Sequence, residues 1–447
     1  MVEPPSRRCG LRLEIVLLVV LVLAAATLFA WRLTSGGGRA RSIEETFLGS
    51  NDPGLSCLKR VIESSPARGE EDPGPDGPSL EEVAAGVERV RQLQFEQLPE
   101  PMYLGPAELA ERATGFAEEY TEEQATRDAR ILTAFGAMEP GTDLRAAVSA
   151  SLGEQVAGFY EPESEDLIVV GAADDGLDPL EESILAHELT HALTDQALGL
   201  PPLEVKRPGE EDAVFAAMSL VEGDATLTEA LYSSEGLLAA SASIPALSGL
   251  ATAGSGLPYH FMRTFLFPYA EGLGFACRRF EAGGWEGIDA AYREPPRSTH
   301  EILFPGTRIL PSDPRDPVAI GGWTSRTVVG WGAADLMFLF EAPGGDPGRR
   351  IDGARDAVAG WRGGEVHVLE RESGVAILLA LDQQEGPALC AAIGSWYAEA
   401  FPDDDVEPSG RGFAVEGASQ DAVLRCHGDE IRLGIGPDRD TARRLAA

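Results

Sequence analysis

The sequence predicts an α+β protein, and three features of its hydrophobic pattern support this. Helical runs, with apolar residues three and four positions apart, recur through residues 80–281. Two β-rich runs at 155–160 and 167–170 flank the polar, proline-containing stretch 161–166, which is typical of a hairpin. Helix and strand patterns then alternate from residue 326 onward without internal repeats. The 447 residues suffice for two to four domains.

The N-terminal segment predicts a membrane anchor. Residues 15–31 form an uncharged apolar run, which as a helix would be about 26 Å long, close to the thickness of a bilayer core. We predict a cytoplasmic N-terminus at 1–14 and a single-pass transmembrane signal anchor at 15–34. Three arginines flank the run on each side, so its orientation follows from the short N-terminus, with the bulk of the chain outside the cytoplasm. A cleaved signal peptide, using the small residues 24–26, is the alternative.

Residues 35–79 are rich in glycine, proline, serine and acidic residues and predict a flexible linker, with at most a short ordered piece at 58–62. The next helix is expected from Leu80, because Ser79 is a suitable N-cap. Further helices are predicted at 107–135 with a break near Tyr120, and at 143–152, 179–196, 213–232 and 259–281. With the hairpin they form a mainly helical domain at 80–325, in which the small residues of 239–256 make a mobile connection.

A second, accessory α+β domain is predicted at 326–447. Its patterns predict a helix at 328–340, strands at 365–370 and 375–381, a helix at 387–401, and a hairpin made of 412–415 and 430–434. Trp361 and Trp396 are expected in its core rather than at a ligand.

The charge of the chain excludes one class of partner. With 36 Lys+Arg and 73 Asp+Glu the net charge is −37, and residues 1–41, with six Arg and two Glu, leave −41 on the remainder. Sequence-independent nucleic-acid binding needs a basic surface, so no nucleic-acid partner is expected. The acidic balance is typical of a solvated surface that keeps a protein soluble.

The cysteines predict an oxidising compartment and no cysteine-only metal site. Cys9 precedes the apolar run, and the other four cysteines would lie beyond the membrane, where disulfides persist. Four cysteines can pair in three ways, and we prefer a disulfide between Cys390 and Cys426 because both lie in the C-terminal region. The chain contains no CxxC motif.

The strongest chemical signal is an HExxH motif formed by His187, Glu188 and His191 in an apolar helical run. Positions i and i+4 share one face of a helix, so both imidazoles can bind one metal ion. Glu222 follows His191 by 31 positions on the next long helix and completes a His2Glu ligand set with one open position. The expected ion is Zn²⁺, and Glu188 is the expected general base toward the attacking water.

Other carboxylates near the motif have weaker claims. Asp195, one helical turn after His191, and Glu229, two turns after Glu222, are candidates to orient the ligands. The alternatives are a polar helix end for Asp195 and a capping or salt-bridged carboxylate for Glu222. Asp224 points to another face than Glu222, so we expect it in a cap or a salt bridge.

The ordered set of motifs resembles bacterial membrane-anchored or secreted zinc metallopeptidases of the gluzincin-like HExxH type. The matching stretches include GEQVAGFYEPESEDLIVV, LAHELTHALTDQ and SLVEGDATL, and the likeness extends from about 153 to 370. The resemblance implies a zincin-like, thermolysin-like catalytic core, zinc at His187, His191 and Glu222, and Glu188 as general base. The chain departs from the pattern at Phe304, where relatives carry a histidine.

Peptide hydrolysis also needs a donor for the developing oxyanion. Tyr269 and His300 are the first candidates, ahead of His260 and Tyr259. The strand expected at 167–170 either pairs with an extended peptide as an edge strand or is an ordinary core strand.

These observations lead to the expectation of a membrane-anchored extracytoplasmic zinc peptidase that acts on a peptide or protein substrate. The alternative is a zinc-stabilised envelope binding or assembly protein that cleaves nothing. The presence of Glu188 argues against the alternative, because a purely structural zinc site does not need that carboxylate.

Overall fold

The computed structural model describes residues 53–64, 77–105, 108, 120–153, 158–170, 177, 179–232, 257–309, 318–371, 374–384, 388–417 and 420–447. Over these residues the chain is α+β, with 13 α-helices and two sheets, as predicted. The helices are α1 (Pro53–Ser64), α2 (Leu80–Arg91), α3 (Glu122–Ala134), α4 (Leu144–Gly153), α5 (Pro179–Leu198), α6 (Glu211–Tyr232), α7 (Tyr259–Gly283), α8 (Trp285–Arg293), α9 (Thr299–Leu303), α10 (Ala333–Glu341), α11 (Ala354–Ala357), α12 (Ala388–Ala400) and α13 (Arg439–Leu445). The strands are β1 (Pro101–Leu104), β2 (Gly158–Glu161), β3 (Asp166–Val170), β4 (Ala319–Ile320), β5 (Trp323–Gly330), β6 (Trp361–Arg371), β7 (Gly374–Gln383), β8 (Asp405–Pro408), β9 (Phe413–Glu416), β10 (Asp421–His427) and β11 (Glu430–Gly436).

The predicted helices around the motif are confirmed, and their ends follow capping chemistry. Ser79 accepts from the backbone N–H of Glu82, whose side chain accepts from the Ser79 N–H, so α2 begins with a capping box. Thr121 caps α3 in the same way, so α3 begins just after the predicted break near Tyr120, and residues 109–119 of the predicted helix lie outside the described residues. The small-residue connection predicted at 239–256 lies outside the described residues.

The first sheet has three strands in the order β1-β3-β2, and this corrects the edge-strand hypothesis for 167–170. The predicted hairpin is present, because Phe159 pairs with Ile168 across β2 and β3. The sequence analysis missed β1, whose Met102 pairs with Ile168 in parallel from the other side. Since β3 has a partner on both edges, it cannot accept a peptide as an added strand.

The second sheet has eight strands in the order β4-β5-β6-β7-β11-β10-β9-β8, all antiparallel. The predicted hairpin of 412–415 with 430–434 is wrong, because β10 lies between β9 and β11 and pairs with both. The helix expected from 328 begins at Ala333, since the β-branched residues before it extend β5 against β6. Trp361 and Trp396 are buried as predicted, each 1% exposed.

One continuous cluster of buried apolar side chains links the two predicted domains. It contains Leu220 of α6, Leu273 of α7, Phe338 of α10 and Leu379 of β7. The strand β5 runs across the predicted boundary between residues 325 and 326. A smaller cluster packs α2 and the first sheet against α5 through Val83, Leu167 and Leu189, and this cluster supports the motif helix.

Part of the predicted linker is folded: the short ordered piece expected at 58–62 is the helix α1, which is longer and covers Pro53–Ser64. The helix α1 packs on α7 and buries Leu58 and Val61. A disulfide between Cys57 and Cys277 joins the two helices, and the predicted disulfide between Cys390 and Cys426 is confirmed. The expected anchor at 15–34 lies outside the described residues, among which no helix has the length and apolarity to cross a bilayer.

The two disulfides should differ in their contribution to stability. They close loops of 220 and 36 residues, and the chain-entropy model gives about 5 and about 4 kcal/mol respectively. We expect the pair Cys57→Ser with Cys277→Ser to lower the free energy of unfolding, measured by urea titration, more than Cys390→Ser with Cys426→Ser. A larger loss in the second double variant would contradict this ordering.

Candidate metal centre

The motif lies in the middle of α5, and the sequence explains where this helix begins and ends. Glu181 and Glu182 lie in the first turn, where carboxylates favour the positive end of the helix dipole. Gly199 follows the last turn with φ 75°, and its N–H donates to the carbonyl of Asp195, as in helix C-caps. The predicted core positions Leu189 and Leu193 are both 0% exposed.

The structure brings His187, His191 and Glu222 together as one buried group that can hold a metal ion. One candidate ligand atom from each residue lies within 4.8 Å of the other two. His187 Nε2 is 3.1 Å from Glu222 Oε2, and His191 Nε2 is 3.6 Å from Glu222 Oε1. The two imidazole rings are nearly perpendicular, at 81°, with 4.8 Å between their centres. This arrangement confirms that the predicted residues converge.

A close crossing of α6 and α7 positions Glu222. A Cβ atom on Gly223 would overlap the carbonyl oxygen of Gly272, and one on Gly272 would overlap the carbonyl of Ser219. The two glycines therefore allow the backbones to approach more closely than any larger residue would. This crossing sets Glu222 of α6 beside Tyr269 of α7.

Glu229 orients His187, as expected of a residue outside the ligand set. Its Oε2 lies 3.2 Å from His187 Nδ1, and its Oε1 accepts a hydrogen bond of 2.7 Å from the Ser183 hydroxyl. We assign the proton of His187 to Nδ1, because this tautomer donates to Glu229 and leaves the Nε2 lone pair for a metal.

The electrostatics of the group suit a cation. Burial lowers the pKa of His191 well below its usual value, so this imidazole stays neutral, which is the form that binds metals. Burial raises the pKa of Glu222, which shows that its charge lacks full compensation. Glu222 Oε1 is buried without a hydrogen-bond partner. A divalent cation would satisfy this oxygen, so the residues fit the predicted metal.

Glu188 is buried and held by a main-chain donor. Its Oε2 accepts a hydrogen bond of 2.9 Å from the backbone N–H of Tyr160 on β2. Burial raises the pKa of Glu188 to about 8; the positive charge of His187 and the Tyr160 N–H oppose this effect, and the charges of Glu222 and Glu229 add to it. A carboxyl group with this pKa can gain or lose a proton near neutral pH.

Asp195 has a different role from the predicted one. Its Oδ2 accepts from the Tyr160 hydroxyl at 2.9 Å, and its Oδ1 accepts from the Leu200 N–H at 3.4 Å. These bonds hold β2 and the end of α5, whereas the carboxylate in contact with a ligand imidazole is Glu229. Helical spacing alone could not choose between the two, because Glu229 reaches the site from another helix.

Of the predicted oxyanion donors, Tyr269 lies at the site and His300 has its contacts elsewhere. Tyr269 is 4% exposed, interacts with the Glu222 side chain, and has its ring centre 6.2 Å from that of His187. Burial and the neighbouring carboxylates keep the pKa of Tyr269 well above its usual value, so the phenol remains a donor. His300 Nε2 bonds the carbonyl of Ala359, and its ring packs on Phe304 and Trp361.

The remaining two donor candidates also have other partners. Tyr259 donates to Glu341 over 3.1 Å, and His260 stacks on Trp331 with 5.5 Å between ring centres.

The salt bridge expected for Asp224 is confirmed, with a partner that the sequence analysis missed. Arg91, at the end of α2, donates to both carboxylate oxygens of Asp224 at 2.9 and 3.1 Å and to Asp289 at 2.6 Å. The sequence shows Arg91 only as a basic residue in a last helical turn. Tyr160 was also missed, and its backbone donor leaves no signal in a side-chain pattern.

Comparisons with models of protein families, with curated proteins and with solved structures found no match for this chain.

Widening the helix crossing should damage the site. We expect Gly223→Ala to push α6 from α7, to lower the free energy of unfolding by about 1–3 kcal/mol, and to weaken Zn²⁺ binding measured by chelator competition. Gly394→Ala is the matched control, since a Cβ on this glycine of α12 meets no atom within 4 Å. The control should keep Zn²⁺ affinity and gain about 0.5–1 kcal/mol of stability. Equal Zn²⁺ affinity in both variants would show that the crossing does not position Glu222.

Proposed function

We propose that the protein is a zinc-dependent peptidase. The observation that carries the proposal is the buried convergence of His187, His191 and Glu222 beside Glu188, on helices whose sequence places an acid between two metal-binding histidines. His187, His191 and Glu222 would hold the ion, and Zn²⁺ when bound would lower the pKa of water and polarise the scissile carbonyl. The resemblance to gluzincin-like metallopeptidases supports the same assignment.

Glu188 is the proposed general base. It lies on the same helix as both histidines, and its hydrogen bond from the Tyr160 N–H fixes the direction of the carboxylate. It takes a proton from the attacking water and delivers that proton to the leaving amine, so no net proton is gained or lost by the enzyme. Tyr269 is the proposed donor to the oxyanion, because its phenol lies beside Glu222 and stays protonated.

The proposed place of action is outside the cytoplasm, with the chain held by the predicted anchor at 15–34. Two observations support this location. The two disulfides, Cys57–Cys277 and Cys390–Cys426, are typical of oxidising compartments. The charge of −41 beyond residue 41 suits a domain that repels an anionic membrane surface.

Replacement of the base tests the proposal directly. We expect Glu188→Gln in the full chain to retain Zn²⁺ and to lose cleavage of a denatured protein by about 100-fold or more, the usual contribution of a general base. Cleavage is measured by mass spectrometry of the products and Zn²⁺ by elemental analysis. The matched control is Glu181→Gln, two turns earlier on α5, which should cleave as wild type.

Two outcomes separate the peptidase from its alternative. If the zinc-loaded wild type cleaves neither denatured proteins nor a broad peptide library, the peptidase proposal fails and a zinc-stabilised binding protein is favoured. The near-complete burial of the ligands, with Glu222 0% and His187 1% exposed, is the observation that supports this alternative. Cleavage that persists in Glu188→Gln would instead overturn the role of Glu188.

Substitution of a proposed metal ligand should affect Zn²⁺ binding more strongly than substitution of Glu229, which contacts the ligand His187. We expect His191→Ala and Glu222→Gln to lose Zn²⁺ at micromolar free metal. Glu229→Gln should retain Zn²⁺ with an affinity about 10- to 100-fold lower, because the amide holds His187 more weakly. Isothermal titration with Zn²⁺ measures all three. An unchanged Zn²⁺ affinity in Glu229→Gln would show that the contact between Glu229 and His187 does not contribute to metal binding.

A further inference from the structure

A cavity of about 180 Å³ lies next to the metal centre, between α6 and α7. Its α6 wall includes Phe215 and Met218, which lie two turns and one turn before Glu222 on the same face of the helix. Its α7 wall includes Phe261, Phe265 and Tyr269, spaced four residues apart. Tyr269 is thus shared between the cavity and the metal centre. The cavity is also lined by residues of α3, β5 and α10, and from the first turn of α6 by Glu211 and Asp212, which lie far from Glu222 along the helix.

The far end of the cavity is acidic. Asp128, Glu211, Asp212 and Asp335 all line it, and Arg127 is the one cation among its described lining residues. Arg127 bonds Asp128 at 2.6 Å and so is already paired.

A histidine at this end does not supply positive charge. Burial lowers the pKa of His260 to about 3, so it is neutral, although its Nε2 lies 3.5 Å from Asp335 Oδ1. The carboxylates of Glu211, Asp212 and Asp335 therefore lie at this end, and no charged basic side chain in the described part of the chain lies within ion-pair distance of them.

Asp212 carries an unsatisfied oxygen at this end. Its Oδ1 accepts from the backbone N–H and the hydroxyl of Thr299 at 3.1 and 2.5 Å, whereas its Oδ2 is buried and has no hydrogen-bond partner. The residue is 7% exposed and lines the cavity. A buried carboxylate oxygen without a donor is costly, and a donor that enters the cavity would remove that cost.

We propose that this cavity is a substrate pocket that selects a basic side chain close to the scissile bond. The aromatic walls would contact the aliphatic part of a lysine or arginine side chain, and the acidic end would accept hydrogen bonds from its ammonium or guanidinium group. Burial raises the pKa of Asp212 to about 7 and that of Asp335 to about 8, which is the behaviour of carboxyls that lack a cation.

The dimensions of the helix pair define how far the basic residue can be from the bond that is cleaved. Ten residues of α6 separate Asp212 from Glu222, a rise of about 15 Å. Two residues of extended chain span about 7 Å of this distance, which leaves about 8 Å, close to the reach of an extended basic side chain. The selected residue is therefore expected within two positions of the scissile bond. This inference rests on the proposed peptidase function.

Cleavage-site profiling tests the selection. The zinc-loaded full chain in detergent is given a peptide library, and the product ends are sequenced. We expect peptides with lysine or arginine within two positions of the cut to be favoured about 10- to 100-fold in kcat/KM, the size of one hydrogen bond to a charged group. Asp212→Asn and Asp335→Asn should each reduce this preference while cleavage of uncharged peptides continues.

Asp421→Asn is the matched control, because Asp421 is a partly buried aspartate that accepts a backbone hydrogen bond from Gly417 and does not line the cavity. It should keep the preference of wild type. Glu188-dependent cleavage without a basic preference would overturn the pocket assignment and leave the peptidase proposal standing. If Asp212→Asn fails to fold, as judged by circular dichroism and Zn²⁺ content, Asp335→Asn decides.

Peptide binding to an inactive variant tests the pocket assignment without requiring cleavage. The zinc-loaded Glu188→Gln chain is titrated in a calorimeter with an acetylated, amidated pentapeptide that has arginine at its centre and leucine elsewhere. The matched probe has citrulline, which is neutral and nearly the same shape, in place of arginine.

We expect the arginine peptide to bind about 10-fold or more tightly, and the difference to disappear in the Asp212→Asn background. Equal affinities of the two peptides would overturn the pocket assignment. Tighter binding of the arginine peptide to a wild type that cleaves nothing would overturn both proposals, since the cavity would then bind cations without serving a reaction.

Discussion

The close crossing of α6 and α7 is the constraint on which the site depends. Gly223 and Gly272 face each other's backbones, and the pair makes the most extensive contact between helices in the described chain. This approach sets Glu222 from one helix against Tyr269 from the other. It also lines up the two walls of the neighbouring cavity. Because both features use the same helix pair, a change in the crossing would alter the ligand set and the cavity together.

Buried carboxylates around this crossing differ in how their charge is compensated, and the difference shows which carboxylate oxygens lack a partner. Asp224 has a buried arginine partner, Arg91, and Glu229 has the imidazole of His187 and a hydroxyl. In both cases each carboxylate oxygen has a partner within the protein. By contrast, Glu222 Oε1 and Asp212 Oδ2 are buried without hydrogen-bond partners. Since such atoms are costly unless a ligand satisfies them, they support the proposed metal site and the proposed substrate pocket.

The C-terminal region packs directly against the helices of the metal centre. Its helix α10 and the end of β5 share the main core with α6 and α7. Trp331 and Asp335, from this region, line the cavity beside the site. Residues beyond the predicted boundary at 325 thus form part of the cavity wall. Under the proposed function, this region would supply one side of the substrate pocket.

Local periodicity in the sequence determined the helices that carry the site, the hairpin of β2 and β3, the two motif histidines with Glu188, and Glu222 as their companion. It could do so because spacing along a helix decides which side chains share a face. Tertiary packing alone decided that Glu229 rather than Asp195 contacts His187, that a backbone N–H holds Glu188, that β3 is central, and that His300 contacts Ala359. These outcomes depend on contacts between residues distant in the chain, where no period in the sequence specifies which partner is nearest.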